Sequence, residues 1–458
     1  MKALFYFLLP VAFLASCQQP QDDVDVIAAI YEEALSDSTT YHALEYLSNE
    51  IGGRLACSPE GIEAAHYTKS LMEDLGFDEV YLQEASVKNW DQGAPEIGYI
   101  LDEDQEIDVA VCALGRGIGT GEGGLQGKVV EVESFDALNA LSPEEVEGKI
   151  VFFNAVMNPN YDNPFRAYGE TSGYRFVGPI EAAKKGAKAA IIRSLATSVD
   201  TFPHTGVTRY AEDGMTVPAV AIATAHANLL SEKLKANADL EFYFRTTCEN
   251  KPDTITYNSI GEIRGSEYPN KIITIGGHLD SWYNSPGAHD DGGGCMQAVE
   301  VLRLFKELGI QPKHTLRAVM FMDEEISQGG AAAYFEAAKA NGEEHIFAME
   351  SDRGVTRPLG FTIDGELKMI RKINSWAPLF APYDVRHFEK GYGGVDINPL
   401  KELGTTLIGY YPDPKRYFEW HHSPNDTFDK VVFEEYQKGS ATMAALIYLL
   451  DKYGAEEH

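Results

Sequence analysis

The chain has 458 residues, of which 44% are hydrophobic and 24% charged, and its formal net charge at pH 7 is −32. This length is too great for one hydrophobic core, so we expect a globular protein of two domains, and the ordinary composition argues against a disordered chain. The strong negative charge repels other anions, which excludes nucleic acid and anionic membrane surfaces as partners.

The first residues predict export. Residues 1–16, MKALFYFLLPVAFLAS, contain an early lysine, an apolar stretch and small residues at the end, which is typical of a secretory signal. The signal ends in LASC, which resembles the bacterial lipoprotein box, so Cys17 would become a lipid-bearing N-terminus and residues 17–23 a polar tether. The alternative is an ordinary signal with an incidental cysteine. We expect a lipoprotein of the cell envelope that faces the periplasm or the cell exterior and touches the membrane only through its anchor.

Residues 24–108 are predicted to form the first part of the main domain. Their sequence indicates helices from about residue 24 to residue 82, with a break at IGGRLACSPEG. The stretch SPEGIEAAHYTKSLMEDLG has a serine cap, a proline in the first turn and a closing glycine, so both ends of one helix are marked.

Residues 109–251 are predicted to be a compact β-rich insert. Short apolar runs separated by turns indicate strands, namely GKVVEVES, GKIVFFNAV, AKAAIIRSL, TVPAVAIAT and LEFYFRTT. One helix, GPIEAAKKG, is expected among them.

Residues 252–458 alternate apolar strands with helices of ten or more residues. This alternation predicts an α/β fold with a mixed, largely parallel sheet sandwiched by helices. Ligands of such sheets bind beyond the carboxyl ends of the strands.

Residues that can bind metal follow several of these strands. IITIGG ends at His278 and Asp280, TLRAVMFM ends at the acidic triplet 323–325, and IFAMES ends at Asp352. WHHSPNDT supplies two further histidines near the C-terminus. Imidazole and carboxylate without thiolate suit zinc at a catalytic site. Asp290, the first aspartate of HDDGGG, fits a bridge between two metals because the glycines after it permit close approach.

The stretches GGHLDSW, GAHDDGGG, DEE, MESD and HHSPNDT occur in this order and resemble the co-catalytic two-zinc aminopeptidase family, most closely its plasma glutamate carboxypeptidase branch. The likeness extends to IGGRLACSPEG, FPHTGVTRYAEDG and YFEWHHSPNDT, and thus over nearly the whole mature chain. It implies a phosphorylase/hydrolase-like catalytic domain and identifies the β-rich insert as a protease-associated domain.

The resemblance also implies the roles of individual residues. One zinc would be held by His278 and Asp352 and the other by Glu325 and His422, with Asp290 bridging. Asp280 would orient the imidazole of His278, and Glu324 would be the general base. Arg353 and His289, which flank expected ligands, are candidate substrate contacts, although packing explains them equally well.

The predicted function is therefore an exported two-zinc exopeptidase that hydrolyses dipeptides or short peptides with unblocked termini. Two alternatives are a receptor-like protein on the same fold that has lost catalysis and a glutaminyl-cyclase-like acyltransferase with one zinc. The presence of all five ligands and Glu324 favours hydrolysis. The sequence leaves open the side-chain preference and whether the chain forms a homodimer.

Overall fold

The structure, a computed structural model, describes residues 22–103 and 105–454, so the predicted signal, Cys17 and most of the tether lie outside the described residues. The described chain begins with helices α1 (Asp23–Ser36), α2 (Thr39–Tyr46) and α3 (Pro59–Asp74). The predicted cap of α3 is confirmed, since the Ser58 hydroxyl accepts the Gly61 N–H at 3.0 Å. The prediction of helix as far as residue 82 is wrong. Gly76 adopts a left-handed backbone (φ +69°) that terminates the helix, and strand β1 (Glu79–Asp91) follows.

The middle of the chain forms one mixed β-sheet between residues 97 and 245, with the order β3-β2-β9-β5-β6-β7-β8-β4 among the described residues. Its strands are β2 (Ile97–Asp102), β3 (Gln105–Asp108), β4 (Val111–Ala113), β5 (Leu125–Val132), β6 (Ile150–Phe153), β7 (Ala189–Arg193), β8 (Ala219–Ile222) and β9 (Glu241–Arg245). Its helices are α4 (Phe135–Ala140), α5 (Pro143–Val146), α6 (Phe165–Lys184) and α7 (Thr224–Ala236). We call this unit the second sheet.

The helices of the second sheet differ from the prediction of a single short helix. The expected helix GPIEAAKKG is the last part of α6, which begins at Phe165 and contains Gly169, Gly173 and Pro179. Those residues weaken helix propensity, and packing on the sheet overrides it. Helices α4, α5 and α7 were not predicted.

The remaining strands, together with β1, form the first sheet. They are β10 (Glu249–Ile263), β11 (Tyr268–His278), β12 (His314–Phe321), β13 (Glu344–Glu350), β14 (Pro358–Asp364), β15 (His387–Lys390) and β16 (Thr406–Pro412). The helices of this part are α8 (Gly293–Glu307), α9 (Gly329–Asn341), α10 (Leu367–Ser375), α11 (Ala377–Phe380) and α12 (Phe433–Leu449). In the described chain the strand order is β1-β10-β12-β11-β13-β16-β14-β15.

The centre of the first sheet is parallel. Strands β12, β11, β13 and β16 lie side by side in parallel, and the antiparallel strands β10 and β14 flank them. Strand β12 is buried along its whole length, and helices α8 and α12 are buried on most of their surface. The mixed α/β sheet predicted for this half of the chain is confirmed, and four carboxyl strand ends meet at one edge.

Within the described ranges, no helix is both long and apolar enough for a bilayer crossing.

Candidate metal centre

The central parallel strands deliver the predicted ligands to one edge of the first sheet. His278 is the last residue of β11, and Asp352 follows β13 by two residues. Glu325 lies four residues beyond β12, and His422 lies in the segment after β16. These side chains therefore meet at or beyond the carboxyl ends of the parallel strands, where the sequence predicted them.

Asp290 lies at the centre of the cluster. Its Oδ1 is 3.1 Å from Nε2 of His278, and its Oδ2 is 3.4 Å from Nε2 of His422. His278 Nε2 is also 3.5 Å from Asp352 Oδ1, and His422 Nε2 is 3.0 Å from Glu325 Oε2. All five predicted ligands are thus brought together, and each oxygen of Asp290 faces a different imidazole.

His421 and His422 both lie near Asp290. The two rings stack with centroids 3.5 Å apart, and Nε2 of His421 is 3.9 Å from Asp290 Oδ2. His422 contacts Glu325 as well as Asp290, which agrees with its assignment as the ligand of the pair.

The loop that carries Asp290 is fixed by two side chains outside the cluster. The Asp426 carboxylate accepts the backbone N–H groups of His289 and Asp290 at 2.8 and 3.0 Å. The fully buried Arg54 guanidinium donates to the carbonyls of Leu279 (2.5 Å), Pro286 (2.6 Å) and Gly287 (3.0 Å). Sequence reasoning gave no role to either residue, although both lie in stretches that carried the resemblance.

The glycines of this loop allow close packing. A Cβ on Gly294 would lie 2.0 Å from the Ser351 carbonyl oxygen, and Gly287 has a positive φ of +61°. The loop is therefore glycine-rich because its backbone passes directly against the residue before Asp352.

Asp280 holds the turn after β12. Its carboxylate accepts the N–H groups of Asp323 (2.8 Å), Glu324 (3.1 Å) and Glu325 (3.3 Å). Nδ1 of His278 lies 3.0 Å from the backbone carbonyl of Asp280 and 3.7 Å from the Asp280 carboxylate. Asp280, which was predicted to orient His278, thus contacts the ring closely through its backbone carbonyl, while its carboxylate positions the acidic triplet.

The electrostatics of the cluster are those of a cation site. Burial lowers the pKa of His422 to about 3, so its imidazole is neutral and can act as a ligand. Burial also lowers the pKa of His278, but the hydrogen bonds to Asp290 and Asp352 outweigh this effect and raise it. The carboxylates of Asp290 and Asp352 thus favour positive charge beside Nε2 of His278. Burial raises the pKa of Glu324 and Glu325 well above the usual value.

The donor set fits metal ions. The imidazole and carboxylate atoms of His278, Asp290 and Asp352 lie within 4.8 Å of one another, as do those of Asp290, His421 and His422. Asp290 Oδ2 and Glu325 Oε1 are buried and accept no hydrogen bond from the described residues. Buried carboxylates without such partners are stable when cations lie between them.

The two candidate substrate contacts lie in different surroundings. His289 is 1% exposed, its ring stacks on Trp420 at 4.1 Å, and its Nδ1 accepts the Val355 N–H, so packing accounts for its position. Arg353 donates to the Thr362 hydroxyl and to the Tyr392 carbonyl, each at 3.1 Å.

A cavity of about 610 Å³ opens over the cluster. The first sheet contributes His278, Asp290, Glu324, Glu325 and Asp352 to its lining. The second sheet and its loops contribute aromatic side chains and three arginines, namely Phe165, Tyr168, Phe176, Arg116, Arg175 and Arg209. A second cavity of about 460 Å³, which Arg353 lines, shares Phe165, Asp352 and Val395 with the first.

The second sheet also contacts the segment that carries His422 directly. The Thr205 N–H donates to the His422 carbonyl at 2.9 Å, and Nδ1 of His422 donates to the Thr205 carbonyl at 3.2 Å. This second bond selects the tautomer that leaves Nε2 of His422 free to bind metal.

Known proteins share both this sequence and this fold. Residues 258–447 match the family model described as Peptidase family M28. Carboxypeptidase Q of Xenopus laevis is 35% identical over 407 residues, which cover 88% of this chain and 84% of that protein. The crystal structure of a Peptidase M28 precursor from Shewanella amazonensis SB2B is similar with a TM-score of 0.89 and 30% identity, over 94% of this chain and 96% of that one. A zinc aminopeptidase from Bacillus subtilis shares the fold at 19% identity and a TM-score of 0.65, over 90% of this chain and 94% of that one.

Proposed function

Since this chain belongs to peptidase family M28 and is a metallopeptidase, we propose that it is an exported two-zinc exopeptidase for dipeptides or short peptides with unblocked termini. The observation that carries the proposal is the convergence of five imidazole and carboxylate ligands around Asp290, beside Glu324, on the floor of one cavity.

The metals would be held as two pairs joined by one carboxylate. His278 and Asp352 would hold one zinc, Glu325 and His422 the other, and Asp290 would contact both, in accord with its two oxygens facing different imidazoles. When bound, zinc ions supply Lewis-acid polarisation of the scissile carbonyl and make water nucleophilic at neutral pH.

Glu324 would act as the general base. It lines the cavity next to Glu325, and the Asp280 carboxylate fixes its backbone N–H. Burial raises its pKa, which makes its carboxylate a stronger base that can take a proton from water and return that proton to the leaving amine.

The cavity supports a short substrate. Aromatic side chains of the second sheet wall it on one side, and the volume of about 610 Å³ is of the size that encloses a small ligand. Arg353 remains a candidate contact for a substrate group in the adjoining cavity. The second sheet would be the protease-associated domain.

Export and anchoring concern residues outside the described range. We propose that Cys17 is lipidated and that the folded part from about Asp22 onward is active without the anchor. Mass spectrometry of the mature N-terminus tests this, since an unmodified N-terminus elsewhere would exclude the anchor. Cys17→Ala should release the protein from membranes without loss of peptidase activity.

The decisive experiment is metal analysis of the purified protein together with hydrolysis of a peptide panel. We expect two zinc ions per chain, cleavage of unblocked dipeptides, and almost no turnover after N-acetylation. Efficient cleavage of N-acetylated peptides would exclude the exopeptidase. Bound zinc without any hydrolysis would favour the receptor-like alternative, and a single zinc with cyclisation of N-terminal glutamine would favour the acyltransferase.

A further inference from the structure

Three arginines of the second sheet line the cavity without a carboxylate partner. Arg116, Arg175 and Arg209 all border it, and among the described residues none has a carboxylate oxygen within 4.0 Å. The chain carries 70 acidic residues against 38 basic ones, so carboxylates are abundant as partners. Three unpaired guanidinium groups at one cavity indicate that an anionic ligand supplies the partner.

Arg175 is the most enclosed of the three. Its residue is 2% exposed, and it donates to the Thr205 carbonyl at 3.3 Å and to the Tyr168 hydroxyl at 2.6 Å. Its Nε is buried and makes no hydrogen bond to the described chain. A buried arginine without a counter-ion carries a desolvation cost, which a bound carboxylate would offset.

Arg175 lies close to the metal ligands. Its guanidinium is 5.5 Å from the ring of Tyr168, which packs edge-on against His421 at 5.3 Å. His421 in turn stacks on the ligand His422 at 3.5 Å. A molecule held at the metal cluster can therefore reach the arginine within the same cavity.

The other two arginines extend the same positive wall. Arg116 has a buried Nε with no hydrogen-bond partner in the described chain and lies 5.8 Å from the ring of Tyr210. Arg209 is exposed and stacks over Phe176 at 5.0 Å, while Arg175 lies 4.8 Å from the same ring. Aromatic rings thus hold the guanidinium planes without neutralising them.

We propose that Arg116, Arg175 and Arg209 bind the α-carboxylate of the substrate's C-terminal residue, so that the cavity selects dipeptides. The proposal rests on the proposed exopeptidase function. The first sheet presents carboxylates and the second sheet presents cations, and an unblocked dipeptide has this polarity, with an amine at one end and a carboxylate at the other. A longer peptide would place its carboxylate beyond the arginines.

The test compares variants on matched substrates. Arg175→Gln, Arg116→Gln and Arg209→Gln are assayed with Ala-Ala, Ala-Ala-amide and Ala-Glu-amide. Arg353→Gln represents the competing contact in the adjoining cavity, and Arg371→Gln, at an exposed position of α10, is the control. Zinc content and thermal unfolding are measured for every variant.

The wild type should prefer Ala-Ala to Ala-Ala-amide. Because a hydrogen bond to a charged group is strong, Arg175→Gln should lower kcat/KM for Ala-Ala by roughly 10- to 100-fold, mainly through KM, and change the amide little. Arg116→Gln and Arg209→Gln should show the same selectivity to a smaller extent. These two variants decide the matter if Arg175→Gln fails to fold.

Several results would overturn the proposal. Equal losses for Ala-Ala and Ala-Ala-amide would reduce the arginines to a structural role. A loss confined to Ala-Glu-amide would assign them to a side-chain carboxylate, and a selective loss in Arg353→Gln alone would move the contact to the other cavity. A wild type that cleaves both alanine substrates equally would refute this proposal alone, whereas one that cleaves no unblocked peptide would refute the proposed function.

Discussion

Replacing Asp280 with asparagine should weaken the hydrogen bonds that hold the turn after β12. The carboxylate accepts three backbone N–H groups, and hydrogen bonds to a charged group contribute about 1.5–3 kcal/mol each. Asparagine keeps one oxygen for Asp323 and Glu324 but presents an NH₂ group to the N–H of Glu325, and an unsatisfied buried donor costs about 1–3 kcal/mol. Burial raises the pKa of Asp280, which offsets part of the charge contribution. We expect a loss of about 3–4 kcal/mol in the free energy of unfolding.

Urea denaturation measures that loss, and zinc analysis and kcat report on the acidic triplet. Asp451→Asn is the matched control, because Asp451 accepts the N–H groups of Lys313 and His314 at 2.9 and 2.8 Å at the other end of the same strand. Both variants should lose stability, but only Asp280→Asn should also lose zinc and turnover. An unchanged urea midpoint for Asp280→Asn, or equal zinc loss in both variants, would refute the reasoning.

Three further predictions concern the cluster and the first sheet. Glu324→Gln should keep both metals and lose roughly 10²–10⁴-fold in kcat, whereas Glu325→Gln should lower zinc content; exchanged phenotypes would reverse the two roles. Removing zinc with a chelator should lower Tm, because buried carboxylates then face one another, and an unchanged Tm would contradict a metal site. Burial raises the pKa of Glu343, but hydrogen bonds from His345 and Arg317 outweigh it and hold the pKa at about 2, below the ordinary 4.5. This carboxylate therefore adds stability above about pH 4.5 that is lost as the pH falls toward 2, and Glu343→Gln should flatten acid unfolding in that range; identical urea midpoints across the series would contradict the bond.

The ligand half of the chain was predictable because its signals are local. Each buried strand is followed by residues that can bind metal, and parallel neighbours bring their carboxyl ends to one edge, so the sequence predicts that His278, Asp352 and Glu325 meet. The serine cap of α3 is equally local. The closing glycine of α3, Gly76, was also predicted, but the helical region was extended to residue 82, so the strand that begins at Glu79 was missed.

The grouping of Arg116, Arg175 and Arg209 at the cavity could not be predicted in the same way. Arg175 lies on α6, whose glycines and proline made most of that helix unpredictable from the sequence. It lines the cavity because the second sheet packs over the metal cluster. The support given by Arg54 and Asp426 depends likewise on contacts between residues more than 130 positions apart. Sequence spacing contains no information about such distances.

The two hydrogen bonds between Thr205 and His422 make the second sheet part of the support of the metal cluster, and not merely an addition to the catalytic domain. An appended domain can be lost in evolution or cut away by a protease while the enzyme beneath it continues to work. Here the carbonyl that sets the tautomer of His422, a proposed zinc ligand, belongs to Thr205 of the second sheet. A chain shortened by residues 97–245 would keep every proposed ligand in its sequence and still lack the Thr205 carbonyl that orients the imidazole of His422.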